Sequence, residues 1–324
     1  MSADVVLALD VGGTGMKCAL VRPGGTVHHA ERHPTPAARG PDAVTAAILD
    51  VAAGLADRAR ADGLTPVAAG IAVPGVVDDV EGVAVWSSNV GFRDVPLRDL
   101  LADRLGMPAA LGHDVRAGGL AEARLGAGRG ERHVLFVAIG TGIAAAHVVN
   151  GRVLAGAHGA AGEMGHIVVR PGGPPCGCGA QGCVESIASA AAIGRRYADL
   201  SGRTDATAIE VAASAAAGEP LAADVWREAL AALADGLVTV QAVVDAGTIV
   251  LGGGLAEAGD ALRTPLRAAL EQRVTFHRLP RLIPAALGDT AGCLGAALLA
   301  LDSLAPGTTE CPARSDGMPE AGTP

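Results

Sequence analysis

Val5-Val6-Leu7-Ala8-Leu9-Asp10-Val11-Gly12-Gly13-Thr14-Gly15-Met16-Lys17-Cys18-Ala19-Leu20-Val21 stands near the start of the chain. An apolar run, Val5 to Leu9, closes on Asp10. A glycine-rich bend follows, then a second apolar stretch from Cys18 to Val21. Pro23-Gly24-Gly25 is a turn, and Thr26 to His29 can begin a third strand. The pattern is an antiparallel meander bent at its glycines. It returns later in the chain: Val134 to Ile139 is apolar, Gly140-Thr141-Gly142 is a bend, Ile143 to Val149 is apolar again, and Asn150-Gly151 is a hairpin turn. One strand–bend–strand–turn unit opens two halves of the sequence, which points to an internal duplication.

The intervening segments read as an α/β protein. Pro41 to Asp62 is expected to be a helix, with Pro41 in its first turn, a stripe of Val44, Ile48, Val51 and Leu55, and Gly63 as its stop. Ala68 to Val73 is a buried strand, Trp86 to Gly91 a polar loop, and Leu97 to Leu105 a short helix. Ala109 to Gly112 is a strand that delivers His113 and Asp114, and Val115 to Leu125 is helical. In the second half, helices are expected over Ala188 to Leu200, Asp205 to Ala217, Leu221 to Asp245, Leu262 to Gln272 and Asp289 to Leu301. Strands are expected at Thr248 to Leu251, followed by Gly252-Gly253-Gly254, and at Arg281 to Ala285. From about Ser303 the sequence is polar, rich in Pro and Gly, and reads as a disordered tail.

Bulk properties narrow the function. A chain of 324 residues suggests two domains, and with 50% hydrophobic but only 2% aromatic residues the core must be aliphatic. The net charge of -9 argues against nucleic acid and against an anionic membrane surface as partners. The N-terminus lacks the basic segment of a secretory signal, and the longest apolar run, Val134 to Ala146, is too short to span a bilayer. Cys18, Cys293 and Cys311 are scattered, which fits a reducing cytoplasm.

The other three cysteines are grouped. Cys176, Cys178 and Cys183 are separated by small residues, and His166 lies shortly upstream. Three thiolates and one imidazole complete a tetrahedral zinc shell and leave no open position, so a structural Zn2+ site is expected. A disulfide between residues two apart would be strained, and no Cys-x-x-Cys redox motif is present. Glu163 and Glu185 bracket the cluster. Fixed to a rigid knot, two carboxylates suit the gripping of neighbouring hydroxyls on a sugar ring.

Three bends, Gly12-Gly13-Thr14, Gly140-Thr141-Gly142 and Gly252-Gly253-Gly254, each follow an apolar strand and can present backbone amides to phosphate oxygens, although hairpins need glycine in any case. Asp10 can orient a phosphate-bound Mg2+ through water. Lys17 can reach a phosphate or lie solvated on an edge strand. Asp114, just past a strand, can take a proton from an attacking hydroxyl or cap the helix that follows.

Asp10-Val-Gly-Gly-Thr, Glu163-Met-Gly-His166 and Cys176-Gly-Cys-Gly-Ala-Gln-Gly-Cys183-Val-Glu185 resemble the signatures of the ROK family, over roughly residues 5 to 302 and most like its bacterial glucokinase branch. The resemblance implies an actin-like (ribonuclease H-like) fold of two duplicated domains with a cleft between them. The division would be 1–115 plus 289–302, and 116–288 with the zinc site, leaving 303–324 as tail. It also implies a cytoplasmic homodimer or homotetramer that phosphorylates a hexose, most simply glucose, with ATP and Mg2+. Asp114 would be the general base. Asn89, Glu163, His166 and Glu185 would contact the sugar, with His166 also a zinc ligand. Asp10, Gly12, Gly13, Thr14, Lys17, Gly140, Thr141, Gly142, Gly253 and Gly254 would surround the nucleotide. The repressors of the family carry an N-terminal helix-turn-helix, which the few residues before Asp10 cannot form. Two departures stand out. His113-Asp114-Val115-Arg116 replaces the usual Asn-Asp-Ala-Asn, which leaves open other acceptors such as N-acetylmannosamine, fructose or allose. Ile143-Ala144-Ala145-Ala146 replaces a glycine-richer bend, where methyls would crowd phosphates; a sensor that binds sugar without phosphate transfer is the alternative.

Overall fold

The computed structural model describes residues 3–304; the tail expected beyond Ser303 lies almost entirely outside them. The first half runs β1 (Asp4–Val11), β2 (Gly15–Val21), β3 (Val27–Pro34), α1 (Pro41–Ala61), β4 (Thr65–Val73), β5 (Val76–Asp78), β6 (Val83–Trp86), β7 (Arg93–Val95), α2 (Leu97–Leu105), β8 (Ala109–His113) and α3 (Asp114–Arg124). The second half runs β9 (His133–Ile139), β10 (Ile143–Val149), β11 (Arg152–Val153), α4 (Val184–Ala188), α5 (Ala190–Ser201), α6 (Ala208–Ala216), α7 (Pro220–Val244), β12 (Thr248–Gly252), α8 (Asp260–Glu271), β13 (Arg281–Pro284) and α9 (Ala291–Ser303).

The duplication read from the glycine bends is present as architecture. The first sheet has the order β3-β2-β1-β4-β8 and the second β11-β10-β9-β12-β13. In each, the first three strands form an antiparallel meander, and the remaining two join it in parallel. The hairpin at Asn150-Gly151 has both residues at positive φ, 51° and 73°, as a two-residue turn between right-twisted strands requires. A small third sheet, β5-β6-β7, is inserted in the first half. It was not expected from the sequence, where its strands are too short to show alternation.

Alternation along the strands assigns each sheet two covered faces. Val5, Leu7, Leu9 and Val11 of β1 point into a core closed by α1 and α2, whereas Val6 and Ala8 point the other way. In the corresponding strand β9, Leu135, Val137 and Ile139 face the helices α4 to α8, whereas Val134 and Phe136 face the same central layer as Val6 and Ala8. That layer is filled by α3 and α9, the equivalent last helices of the two repeats. It is built from small residues: Ala117 and Ala121 of α3, and Ala296, Ala297 and Ala300 of α9.

Glycines set how close these elements come. A Cβ on Gly295 would lie 2.0 Å from Ala117 O, and one on Gly70 of β4 would lie 1.8 Å from Ala296 O. Backbone therefore meets backbone at both crossings, and nothing flexible can move aside. Gly70→Ala is expected to cost about 2–4 kcal/mol in urea unfolding. Gly54→Ala on α1, where a Cβ meets nothing within 4 Å, is expected to stabilise by up to about 1 kcal/mol.

Candidate active site

The carboxyl ends of β4, β8, β9 and β12 converge on one cleft of about 360 Å3. Open α/β sheets place ligands at such strand ends. The lining includes Asn89, Asp114, Glu163 and Glu185, together with Gly140, Gly142 and Gly253. Residues scattered through the sequence are thus brought to one place. Trp86 and His113, which were not among the sequence-derived candidates, also line it.

The three bends are held rigidly. In the first, Gly12 N–H donates to Gly15 O at 2.9 Å, and Thr35 grips the loop twice, with Oγ1 donating to Gly12 O at 2.7 Å and its N–H to Thr14 O at 3.2 Å. Thr35 is buried, and its role is invisible without the fold. Gly13 packs against Asn89, which a Cβ would approach to 3.3 Å. In the second bend Gly140 N–H donates to Gly142 O at 2.9 Å, and Glu185 Oε2 accepts the Ile143 N–H at 2.8 Å. In the third, Gly253 has φ +79° and lies on the end of β9, its Cβ position 2.5 Å from Ile139 O. The alanines after Gly142 do not crowd the second bend as a group. Ala144 lines the cleft, but Ala145 and Ala146 are buried in the two cores on either side of the sheet.

Asp10 sits under the first turn of α9, so close that a Cβ on Gly292 would meet its carboxylate at 2.3 Å. Burial raises its pKa from 3.8 to about 6; Lys17 opposes the shift, and Asp114 and Asp289 add to it. Lys17 Nζ is 3.8 Å from Asp10 Oδ2 and 3.0 Å from Asp289 Oδ1, and Arg32 reaches Asp289 Oδ2 at 2.7 Å. Lys17 is therefore tied into a carboxylate network rather than lying loose on an edge strand. Asp289 is far away in sequence, and no local signal ties it to Lys17.

Asp114 is the first residue of α3, and the N-cap position belongs to His113, whose side chain makes no capping bond. Asp114 Oδ1 accepts the Val115 N–H at 2.7 Å and lies 3.4 Å from His113 Nε2, while Oδ2 has no hydrogen-bond partner among the described residues. His113 is buried, which lowers its pKa and keeps it neutral at pH 7. Arg116 turns away from the cleft. It is buried, donates to Gly159 O, and pairs with Asp79 Oδ1 at 2.7 Å.

The four ligating atoms of His166, Cys176, Cys178 and Cys183 all lie within 4.8 Å of one another. Cys178 Sγ is 3.7 Å from Cys183 Sγ, and Cys176 Sγ is 3.6 Å from His166 Nδ1. Zn–S bonds of about 2.3 Å and Zn–N bonds of about 2.0 Å give tetrahedral edges of about 3.5–3.8 Å, so the donor set fits a zinc ion. The thiols are free, not disulfide-bonded. The other imidazole nitrogen, Nε2, faces Glu163 Oε2 at 3.7 Å, the arrangement in which a carboxylate orients a metal ligand. His166 does not appear in the lining of the cleft itself. Arg170 at the edge of the knot pairs with Asp235 of α7 at 2.6 Å, and Arg273 holds the same carboxylate, which anchors the knot to the helical layer.

Comparison with known proteins now defines the class. The ROK family pattern matches residues 6–303, and the chain belongs to that family. A glucokinase of Streptomyces coelicolor is 30% identical over 91% of this chain and 97% of its own. An N-acetylmannosamine kinase of Citrobacter koseri is 34% identical over 91% of this chain and 98% of its own. The crystal structure of a ROK family glucokinase from Streptomyces griseus, in complex with glucose and AMPPNP, superimposes with a TM-score of 0.77 at 28% identity, covering 92% of this chain and 99% of that one. The fold is the actin-like fold of the ROK sugar kinases. No helix among the described residues is long and apolar enough to cross a membrane.

The raised pKa of Asp10 has a sign that can be tested. The folded state holds its proton more tightly than the unfolded chain, so stability is greatest below about pH 4 for this group and is lost as the pH rises through about 6. Asp10→Asn removes the loss. The variant is expected to be about 1–3 kcal/mol more stable than the native chain at pH 8, with the difference vanishing near pH 4, in chemical denaturation at the two pH values.

Proposed function

We propose that this chain is an ATP-dependent hexose kinase that transfers the γ-phosphoryl group to the 6-hydroxyl of a sugar, with glucose the first acceptor to test. The observation that carries the reading is Asp114. Its Oδ1 is held by the Val115 amide, its Oδ2 is uncommitted, and it lies in one cleft with two glycine bends and two tethered glutamates. A carboxylate fixed through one oxygen and free at the other can take the hydroxyl proton as the sugar oxygen attacks phosphorus.

The remaining roles follow from position. Asn89, Glu163 and Glu185, with His166 behind Glu163, offer acceptors to the sugar hydroxyls; Glu185 has one oxygen on Ile143 N–H and one to spare. The bends at Gly12, Gly13 and Thr14, at Gly140, Thr141 and Gly142, and at Gly253 and Gly254 would surround the nucleotide, with the amides not used inside the bends turned to its phosphates. Asp10 and Lys17 stand at its phosphate end. Mg2+ bound with the nucleotide would neutralise charge on the transferred group, and Asp10 is the carboxylate placed to face it. Zinc at Cys176, Cys178, Cys183 and His166 has a structural role, holding Glu163 and Glu185 to opposite ends of one knot. Movement of 1–115 plus 289–302 against 116–288 would close the cleft and exclude water.

A second reading, N-acetylmannosamine as acceptor, is favoured by the 34% identity to a kinase of that sugar. It keeps the mechanism and changes only the pocket.

Asp114→Asn is expected to lower the rate of ADP formation about 10²–10⁴-fold. Sugar affinity, read from the fluorescence of the cleft tryptophan Trp86, should change little. Loss of binding together with turnover would make Asp114 a contact residue and contradict the assignment. For the knot, elemental analysis should give about one zinc per chain. Cys178→Ser should lose both the zinc and sugar binding, and full activity in a zinc-free variant would rule out a structural metal.

A further inference from the structure

At the opposite end of α3 and α9 from the cleft lies a second cavity of about 790 Å3. It opens between β8 and β11, the edge strands of the two sheets. Its charge is unlike that of the molecule. The chain carries a net charge of -9, yet three arginines from three elements line this cavity, Arg98 of α2, Arg124 of α3 and Arg152 of β11, against two carboxylates, Asp79 and Asp302.

Their commitments differ. Arg124 forms a bidentate pair with Asp302, both contacts 2.7 Å, and donates Nε–H to Gly151 O at 2.7 Å. Arg98 contacts Asp99 at 2.9 Å and Val80 O at 2.7 Å. The Arg152 side chain, on an exposed residue whose backbone pairs with Val149, makes no hydrogen bond or ion pair among the described residues. A guanidinium is a planar fork of donors that matches a phosphoryl or carboxylate group, and here one is unengaged at the wall of a cavity.

The rest of the lining narrows the ligand class. Asp79, Asp302 and Ser303 offer oxygen atoms of the kind that hydrogen-bond hydroxyl groups, and Leu111, Leu120 and Leu299 supply an apolar wall. No aromatic side chain lines the cavity, so nothing stacks a nucleotide base. We propose that this cavity is a binding site for a phosphorylated polyol, a sugar phosphate, with Arg152 taking the phosphoryl group and the Asp302–Ser303 end of α9 taking hydroxyls.

The cavity is also joined to the cleft. Asp79 lines the cavity, its carboxylate is held by Arg116 at 2.7 Å, and Arg116 donates to the carbonyl of Gly159, which lines the cleft. Gly159 in turn lies directly on β5, where a Cβ would meet Val77 O at 2.1 Å. A ligand that engages Asp79 therefore acts on a residue tied to the cleft wall.

The test is calorimetric titration of the full-length protein with glucose 6-phosphate, with inorganic phosphate and glucose as controls. Three proteins are compared: the native chain, Arg152→Glu, and the cleft variant Asn89→Ala. Beyond any product binding in the cleft, the binding of glucose 6-phosphate that depends on Arg152 should be the same in the native chain and Asn89→Ala, and at least about tenfold weaker in Arg152→Glu, the scale of one charged hydrogen bond. Arg152→Glu should leave glucose binding unchanged, and Arg152→Gln should fall between. The proposal is overturned by equal binding to Arg152→Glu, by no binding to any of the three, or by loss in Asn89→Ala, which would put the ligand in the cleft. It is also overturned if inorganic phosphate binds as tightly as the ester, because the site would then be an adventitious anion site only. Turnover is not read, so this outcome is separate from that of the kinase assignment.

Discussion

Where α9 crosses α3 and β4, there is no room for a side chain at Gly295 or Gly70, and backbone rests on backbone. Most of the rest depends on this contact. It sets the two repeats back to back, with one layer of alanines between their sheets, and so fixes how the carboxyl ends of the strands face one another. Because α3 begins directly at the end of β8, the crossing also places Asp114 at the rim of the cleft. Because α9 begins over Asp10, it sets Gly292 against that carboxylate, and Asp289 just before it meets Lys17. The same helix pair carries a fully buried carboxylate. Glu122 of α3 accepts the amides of Ala127, Ala286 and Leu287 at 2.7–3.1 Å, which ties the approach to α9 onto α3. A buried carboxylate is tolerable there because three backbone donors replace its water.

The second constraint is local. The cysteine knot turns the chain so that Glu185 starts α4 directly behind the second glycine bend. One of its oxygens is bound to Ile143 N–H, and a Cβ on Gly142 would sit 2.6 Å from that carboxylate, so a side chain there would displace it. The cysteine–histidine cluster, the acidic residue and the bend are therefore one connected piece. On the other side His166 offers one nitrogen to the cysteines and turns the other to Glu163.

Much of this was legible in the sequence, for physical reasons. A glycine bend between two apolar strands is a local signal, and its repetition revealed the duplication. Helix α1 declared itself through Pro41 and an unbroken stripe. The cysteine spacing carries its own geometry. What was hidden depends on distance along the chain or on short elements. Strands β5, β6 and β7 have three or four residues each and show no alternation, so nothing local marks the β5–β7 sheet, and Trp86, which reads as loop, ends β6 and lines the cleft. Helical periodicity runs straight through Ser189, yet the chain breaks there and Ser189 caps α5 by accepting the Ala192 N–H at 3.1 Å. Thr35, Glu122 and Asp289 act on partners far away in sequence. Arg116, at a position where a second asparagine is usual in the family, is an internal clamp between Asp79 and Gly159, which only the fold shows.

The claim that joins these observations is that the cleft transfers phosphate to a sugar. The most direct measurement is ADP formation by the full-length protein with Mg-ATP across a panel of hexoses and N-acetylhexosamines. Turnover with glucose, and weaker or none with the N-acetylated sugars, is the result expected from the proposed site. Turnover confined to an N-acetylhexosamine would keep Asp114 as base and reassign the acceptor. Sugar binding with no ADP formed from any member of the panel would contradict the claim and make the protein a sugar-binding sensor.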